Sequence, residues 1–152
     1  MSGKSSDWYD VASGVPQGLV LGPLLFILYV NDIPDQVHST SQIFADDLKI
    51  YRTITNLNDS LMLQSDLNIL TNWFKDWLLK FNISKCMFMH FGPNSGHRYS
   101  LGDSKHLSSI DEIKDLGIWI DTGTNSSLQC QKATNKAMQA LGQIKRTFKY
   151  IS

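Results

Sequence analysis

SQIFADDLKIY, Ser41 to Tyr51, is the stretch on which the reading of this chain turns. Apolar or β-prone residues flank two adjacent carboxylates: Ile43 and Phe44 come before Asp46 and Asp47, and Leu48, Ile50 and Tyr51 follow. Gln42 to Ala45 and Leu48 to Ile54 read as two strands joined at Asp46-Asp47, a two-residue hairpin connection without the usual glycine. Like charges side by side repel each other and are costly to bury without a cation. At a hairpin tip water reaches them, so one reading is a solvated polar turn. The other is a divalent-metal platform. Adjacent carboxylates at a tight turn send their oxygens into one small volume, and hard cations such as Mg2+ take oxygen ligands. Two such ions can activate an attacking hydroxyl and stabilise a leaving pyrophosphate.

Upstream, SGVPQG (Ser13 to Gly18) has the glycines and proline of a loop. Leu19 to Val30 then reads as a helix with Pro23 in its early turns, where a missing N–H is tolerated. Pro34 in NDIPD is its stop signal. The run is shorter than the ~20 residues that span a bilayer, so it reads as a buried helix. A short strand is expected at Trp8 to Val11.

Downstream, Leu63, Leu67, Leu70, Phe74, Trp77 and Phe81 fall at steps of four and three. This is one face of a long helix from Asn58 to about Phe81, with Trp73, Trp77 and Phe81 in the core. Met87 to Phe91, Tyr99 to Leu101, His106 to Ser108 and Ile113 to Ile120 read as strands. Ser126 or Ser127 caps a last helix. Its apolar face is Cys130, Ala133, Ala137, Leu141, Ile144, Phe148 and Ile151, and its basic side carries Lys132, Lys136, Arg146 and Lys149.

The 152 residues suit one ordinary domain, and the formal net charge is zero. That zero argues against a wholly basic nucleic-acid coat, yet it conceals an asymmetry. Residues 126–152 hold five basic and no acidic residues, while the rest of the chain holds nine basic and fourteen acidic. A basic tail on an acidic body suits either a solvated helix face or a polyanion partner. Cys86 and Cys130 have no metal-ligand spacing, and the four histidines are scattered, so a reduced intracellular chain, nuclear or cytoplasmic, without a zinc site is expected. No signal peptide and no membrane contact are expected.

The order of these motifs extends the metal reading. SGVPQGLVLGPLLFILYVNDIP followed by FADD resembles the reverse transcriptases of non-LTR (LINE-type) retrotransposons. LNILTNWFKDWLLKFNISKCMFMHFG resembles that family's next helix and strand, with Lys85 at its lysine position. IKDLGIWID resembles its primer-grip turn, with Leu116-Gly117 at the tip, and QKATNKAMQALGQIKRTF resembles the start of its thumb. The resemblance covers nearly the whole chain in the right order. It implies that Asp46 and Asp47 hold Mg2+ (or Mn2+), and that Lys85 meets the departing pyrophosphate. It implies that Pro16, Gln17 and Gly18, with Phe44 and Ala45, contact the template and the incoming dNTP. It also implies that Lys132, Lys136, Arg146 and Lys149 lie along nucleic-acid phosphates, and that the partners are an RNA template and a DNA primer.

The expected fold is therefore α+β. Residues 1–122 would form part of a palm, an antiparallel sheet of about four strands with helices packed on one face. Residues 123–152 would begin a helical thumb. The resemblance places a third carboxylate on a strand before the Pro-Gln-Gly loop, where neither Asp7 nor Asp10 sits in its pattern, and that strand and the fingers are expected to lie outside these residues. An amino-terminal polymerase half is therefore an expected partner. Apolar surface near Trp8, Val11 or Ile43 is expected to lack cover. Two other functions remain open: a non-catalytic nucleic-acid-binding module derived from the polymerase, and an unrelated Mg2+-dependent nuclease using the same two carboxylates.

Overall fold

The computed structural model describes residues 10, 18, 21–93, 96–102 and 105–148. The expected strand at Trp8 to Val11 lies outside the described residues but for Asp10. The chain divides into two compact units, Met1–Asp66 and Leu67–Ser152. The described residues form a mixed α+β arrangement of three α-helices and short strands. None of the helices is long and apolar enough to cross a membrane.

In the first unit α1 (Leu21–Val30) is followed by a 3-10 turn, Ile33–Gln36. Pro34 sits in the first turn of that 3-10 segment, so the residue expected to stop α1 also starts the next element. Ile33, at 1% exposure, is the best-buried apolar side chain of the unit. The expectation of a buried α1 is overturned. Only Gly22 and Val30 are buried, whereas Leu21, Leu24, Leu25, Ile27 and Leu28 are all exposed. A helix apolar on every side needs partners on every side, and the described residues cover one strip of it.

β1 (Thr40–Phe44) and β2 (Asp47–Tyr51) pair antiparallel in the register Phe44↔Asp47, Gln42↔Lys49, Thr40↔Tyr51. Ser41, Ile43, Leu48 and Ile50 form the half-buried face, while Gln42, Phe44 and Asp47 face water. Ile43 thus has partial cover, and Trp8 and Val11 lie outside the described residues. The longest run of exposed apolar side chains in the described part of this unit is on α1, with Phe44, Tyr51, Leu57 and Leu61 exposed besides.

α2 (Leu57–Asp76) begins with a reciprocal cap. The Asn56 Oδ1 accepts from the Asp59 N–H at 3.1 Å, and the Asp59 Oδ2 accepts from the Asn56 N–H at 3.2 Å. This is the arrangement of a capping box, with Asp59 in place of the usual Glu and Asn56 in place of the usual Ser. The Thr55 N–H and hydroxyl add two further bonds to Asp59, at 2.9 and 2.6 Å.

The other end of α2 departs from the periodic reading, which carried the helix to Phe81. The Leu79 N–H bonds to the Phe74 carbonyl at 2.8 Å and the Leu78 N–H to the Lys75 carbonyl at 3.2 Å. These are the paired bonds of a Schellman motif, with Leu78 at the left-handed position at φ +55°. Phe81 then folds back and stacks on Phe74, with centroids 3.9 Å apart. Leu67, Leu70 and Trp73 are buried as expected, but Trp77 is 42% exposed and belongs to the rim.

The unit boundary falls inside α2. Beyond it lie β3 (Met87–Phe88), β4 (Ser100–Leu101), β5 (Lys105–His106), β6 (Ser108–Ser109), β7 (Glu112–Asp115), β8 (Ile118–Asp121) and α3 (Ser127–Thr147). One antiparallel sheet of about four strands was expected. The described strands instead pair two by two: β1 with β2, β3 with β6, β4 with β5, and β7 with β8. β3 and β6 run parallel. Strands of two residues offer too few backbone groups to recruit a further neighbour, and the segment 89–107 is long enough for a parallel return. Tyr99 and Leu101 are buried, and Phe88 meets the Tyr99 ring edge-on at 5.4 Å.

Ile113 to Ile120 is a hairpin rather than one strand. Leu116 at φ +46° and Gly117 at φ +90° form its tip, the pair of positive angles that type I′ turns require. α3 starts after Ser126, but the Ser126 side chain makes no cap bond. The Asn125 Oδ1 accepts from the Ser127 N–H at 2.9 Å instead. α3 has no fully buried residue, and Leu141, Ile144 and Phe148 on its expected apolar face are exposed.

Two stability outcomes follow from these features. Leu78→Gly should stabilise the chain by about 0.5–1 kcal/mol, the left-handed penalty less glycine's unfolded-state entropy; a denaturant titration reads it. The uncovered α1 should make the isolated chain self-associate and melt below about 60 °C. Calorimetry showing a cooperative transition well above that temperature would contradict this.

Candidate active site

The two carboxylates stand at the tip of the β1–β2 hairpin. Phe44 and Asp47 are the last pair of the ladder, so Ala45 and Asp46, not Asp46 and Asp47 as expected, form the connection, and Asp47 is the first residue of β2. Ala45 takes φ +51°, while Asp46 is not among the positive-φ residues. That is the φ pattern of a II′ turn, in which glycine normally holds the first position. A left-handed alanine costs of order 1 kcal/mol and persists where its surroundings over-determine it. Asp46 and Asp47 are both exposed, as are Ala45 and Phe44.

What over-determines the hairpin is visible at its two feet. The Asp66 side chain is 1% exposed and accepts from residues directly before β1. Its Oδ2 takes the Ser39 N–H at 2.8 Å and the Ser39 hydroxyl at 2.6 Å. Its Oδ1 takes the His38 N–H at 3.0 Å, and His38 Nδ1 lies 3.3 Å away. Just after β2, the Arg52 guanidinium reaches the Ser39 hydroxyl at 3.4 Å, the Met62 sulfur at 3.2 Å and the Asp59 carboxylate at 3.9 Å. Asp59, Met62 and Asp66 are three and four residues apart, so they share one face of α2. Both feet of the hairpin are therefore fastened to one stripe of one helix.

Burial alone would raise the Asp66 carboxyl, but the hydrogen bonds from Ser39 and His38 outweigh it and hold the group below its ordinary value. The Thr55 hydroxyl and N–H likewise hold Asp59 low. None of these residues stood out in the sequence. The signal for Asp66 was a charge inside an apolar stripe, between Leu63 and Leu70. The signal for the α2 cap was Thr55-Asn56 three residues before an aspartate.

The other candidates fall as follows. Pro16 and Gln17 lie outside the described residues, as does Lys149. Gly18 is exposed at φ +88°, and a side chain there would meet nothing within 4 Å. Lys85 closes a 3-10 turn, Ile83–Lys85, of the second unit and is exposed. Leu116 and Gly117 are exposed at the β7–β8 tip. Lys136 and Arg146 are exposed along α3, with the Arg146 Nε–H donating to the Gly142 carbonyl at 3.1 Å. Lys132 is the exception to the solvated basic face. It lies 4.3 Å over the Trp119 ring and 3.4 Å from the Glu112 carboxylate. The structure thus gathers Phe44, Ala45, Asp46 and Asp47 into one turn, and places Lys85, Leu116, Gly117 and the α3 cations within the second unit.

Two exposed carboxylates on adjacent residues are the donor type a hard divalent ion prefers. Among the described residues, no group of three or more His, Cys, Asp or Glu side chains is arranged to hold a metal. Any further ligands would come from water or from another segment.

Comparison with known proteins assigns the chain to a family. The family model for reverse transcriptase (RNA-dependent DNA polymerase) matches residues 1–144, and the chain belongs to that family. It is 35% identical over 145 residues to a probable RNA-directed DNA polymerase from transposon BS of Drosophila melanogaster, covering 88% of this chain and 16% of that protein. It is 29% identical over 131 residues to the RNA-directed DNA polymerase from mobile element jockey of the same species, covering 80% and 14%. A third relative, a probable RNA-directed DNA polymerase from transposon X-element, also of Drosophila melanogaster, is 36% identical over 83 residues, covering 51% and 9%. The chain thus spans about one-seventh of the first two relatives' length. No solved structure matches.

The lowered Asp66 value fixes the sign of an acid response. A carboxyl depressed by folding contributes stability fully above its unfolded value, about 3.9, and loses it as pH falls through the lower folded value. Asp66→Asn should cost about 1–3 kcal/mol at neutral pH, since a carboxamide N–H would face a donor. The gap between the variant and the wild type should narrow as pH falls below about 4, as read by denaturant melts at each pH.

Proposed function

We propose that this chain is a portion of a reverse-transcriptase palm, residues 1–122, continuing into the start of a thumb, residues 123–152. The observation that carries this reading is the pair Asp46 and Asp47, exposed on neighbouring residues of an anchored hairpin in a chain of the reverse transcriptase family. In this reading the two carboxylates hold Mg2+ or Mn2+, and the bound ion supplies charge stabilisation for nucleotidyl transfer from a dNTP to a primer end. Pro16, Gln17 and Gly18, with Phe44 and Ala45, contact template and incoming nucleotide. Lys85 offers a cation to the leaving pyrophosphate. The Leu116-Gly117 tip contacts the primer. Lys136, Arg146 and Lys149 follow the phosphate backbone, while Lys132 joins them only by leaving Glu112 and Trp119.

Chemistry of this kind places two ions about 3.5–4 Å apart. Two adjacent carboxylates leave much of both coordination shells to water, and a displacement of about 1 Å can cost ~10²-fold. The 152 residues by themselves should therefore extend little or no primer. The assay is primer extension on an RNA template with Mg2+ or Mn2+; extension that Asp46→Asn abolishes would refute this and make the chain an enzyme on its own.

A second reading is favoured by the exposure of Lys136 and Arg146: a nucleic-acid-binding module without chemistry. It predicts RNA or DNA binding whose affinity falls steeply with salt. Lys136→Ala should reduce the log–log salt slope by about one. Binding indifferent to salt removes this alternative.

A further inference from the structure

We propose that Asp66 is the positioning residue of the Asp46-Asp47 turn, acting through the feet of the hairpin; its value to metal binding rests on the reading above. Asp66 touches neither carboxylate. It holds His38 and Ser39, and β1 begins at the next residue, Thr40. The strand runs from there to Phe44, and the turn carrying Asp46 follows.

A single contact at the base would leave a hairpin free to rotate about it. Here the constraint is multiple. Two consecutive backbone N–H groups and a hydroxyl converge on one carboxylate, and both of its oxygens are used. The Ser39 hydroxyl, which donates to Asp66 at 2.6 Å, is also approached by Arg52 at 3.4 Å. Arg52 follows the last residue of β2. The first foot is thus tied to the second through Ser39, and both are tied to α2 at Asp66, Met62 and Asp59. The β1–β2 ladder, with Ile43 opposite Leu48, fixes the two strands against each other, and the Asp66 bonds fix the foot of that ladder on α2. The stiff hairpin then carries that placement to its tip, where the left-handed Ala45 aims the next two side chains.

The test is residue-resolved amide exchange on the full chain at neutral pH. Asp66→Asn keeps the shape of the side chain but sets a donor against the Ser39 N–H. It should speed exchange in Thr40–Phe44 and Asp47–Tyr51 at least about tenfold. The β7–β8 and α3 amides should change less than about twofold. Ser39→Ala removes the hydroxyl and keeps both N–H bonds, so it should give a smaller acceleration confined to the same ten residues. It also serves should Asp66→Asn fail to fold. Acceleration spread evenly over the chain, or absent from the hairpin in both variants, overturns the proposal.

Paramagnetic broadening by Mn2+ separates this inference from the reading beneath it. Wild-type broadening centred on Ala45–Asp47 and lost in Asp46→Asn supports the metal site; the Asp66 variant should then need several-fold more Mn2+. No broadening at the turn in the wild type removes the metal reading, while the exchange result still decides whether Asp66 fastens the hairpin. Equal Mn2+ response in the wild type and in Asp66→Asn overturns the positioning role.

Discussion

A carboxylate with 1% exposure, filled by two successive backbone amides and a hydroxyl, is the constraint on which the rest of the first unit depends. A two-stranded hairpin is marginal in water unless it packs on something. Here its half-buried face is modest: Ser41, Ile43, Leu48 and Ile50. Burying the Asp66 charge would be unfavourable alone. Charge-assisted bonds of about 1.5–3 kcal/mol each offset that cost, provided every one is made. The arrangement is therefore strict. It tolerates the geometry in which Ser39 and His38 present their amides and little else.

The same helix face explains why three sequence features belong together. Asp59 caps α2 through Asn56 and Thr55, and also meets Arg52. The helix start, the second hairpin foot and the first foot are thus fixed by one stripe, Asp59, Met62 and Asp66. α2 starts beside the hairpin it holds, and the bonds at the two feet are hydrogen bonds and an ion pair. No apolar cover is drawn over Asp46 and Asp47, which stay in water.

The parts of the fold legible in the sequence were those with a period or a turn signature. The β-prone residues flanking Asp46-Asp47 located the hairpin within two residues at each strand start, and the spacing of Leu63, Leu67 and Leu70 located α2. The misses have physical causes. Phe81 continued the helical spacing but reaches Phe74 by folding back, because i and i+7 residues can meet with or without a helix between them. Leu78 ends α2 at a position where glycine would have announced the stop. Asp66 was hidden because a charge on an apolar stripe reads as an interruption until its donors are known. Those donors are backbone N–H groups, which every residue has and no sequence distinguishes. For α1, hydropathy registers how much a helix would gain from burial, and Leu24, Ile27 and Leu28 show that gain unrealised among the described residues.

Charge counting had a similar limit in the carboxy-terminal helix. Five basic residues against no acidic ones suggested a uniform field, yet a cation's neighbours decide what remains for a polyanion. Lys132 already shares a carboxylate and an aromatic face, with Glu112 at 3.4 Å and the Trp119 ring at 4.3 Å. Those contacts, with the Trp119 N–H donating to Gln129 at 2.9 Å, seat the first turns of α3 on the β7–β8 hairpin. A lysine so engaged must give up an ion pair and a cation–π contact before it releases a phosphate counterion. It serves better as the hinge pin of the helix than as part of its binding face. The available field is then carried further along α3, by Lys136, Lys145 and Arg146. The root of α3 is thus held to the β7–β8 hairpin through Trp119, by the Gln129 bond and the Lys132 cation–π contact.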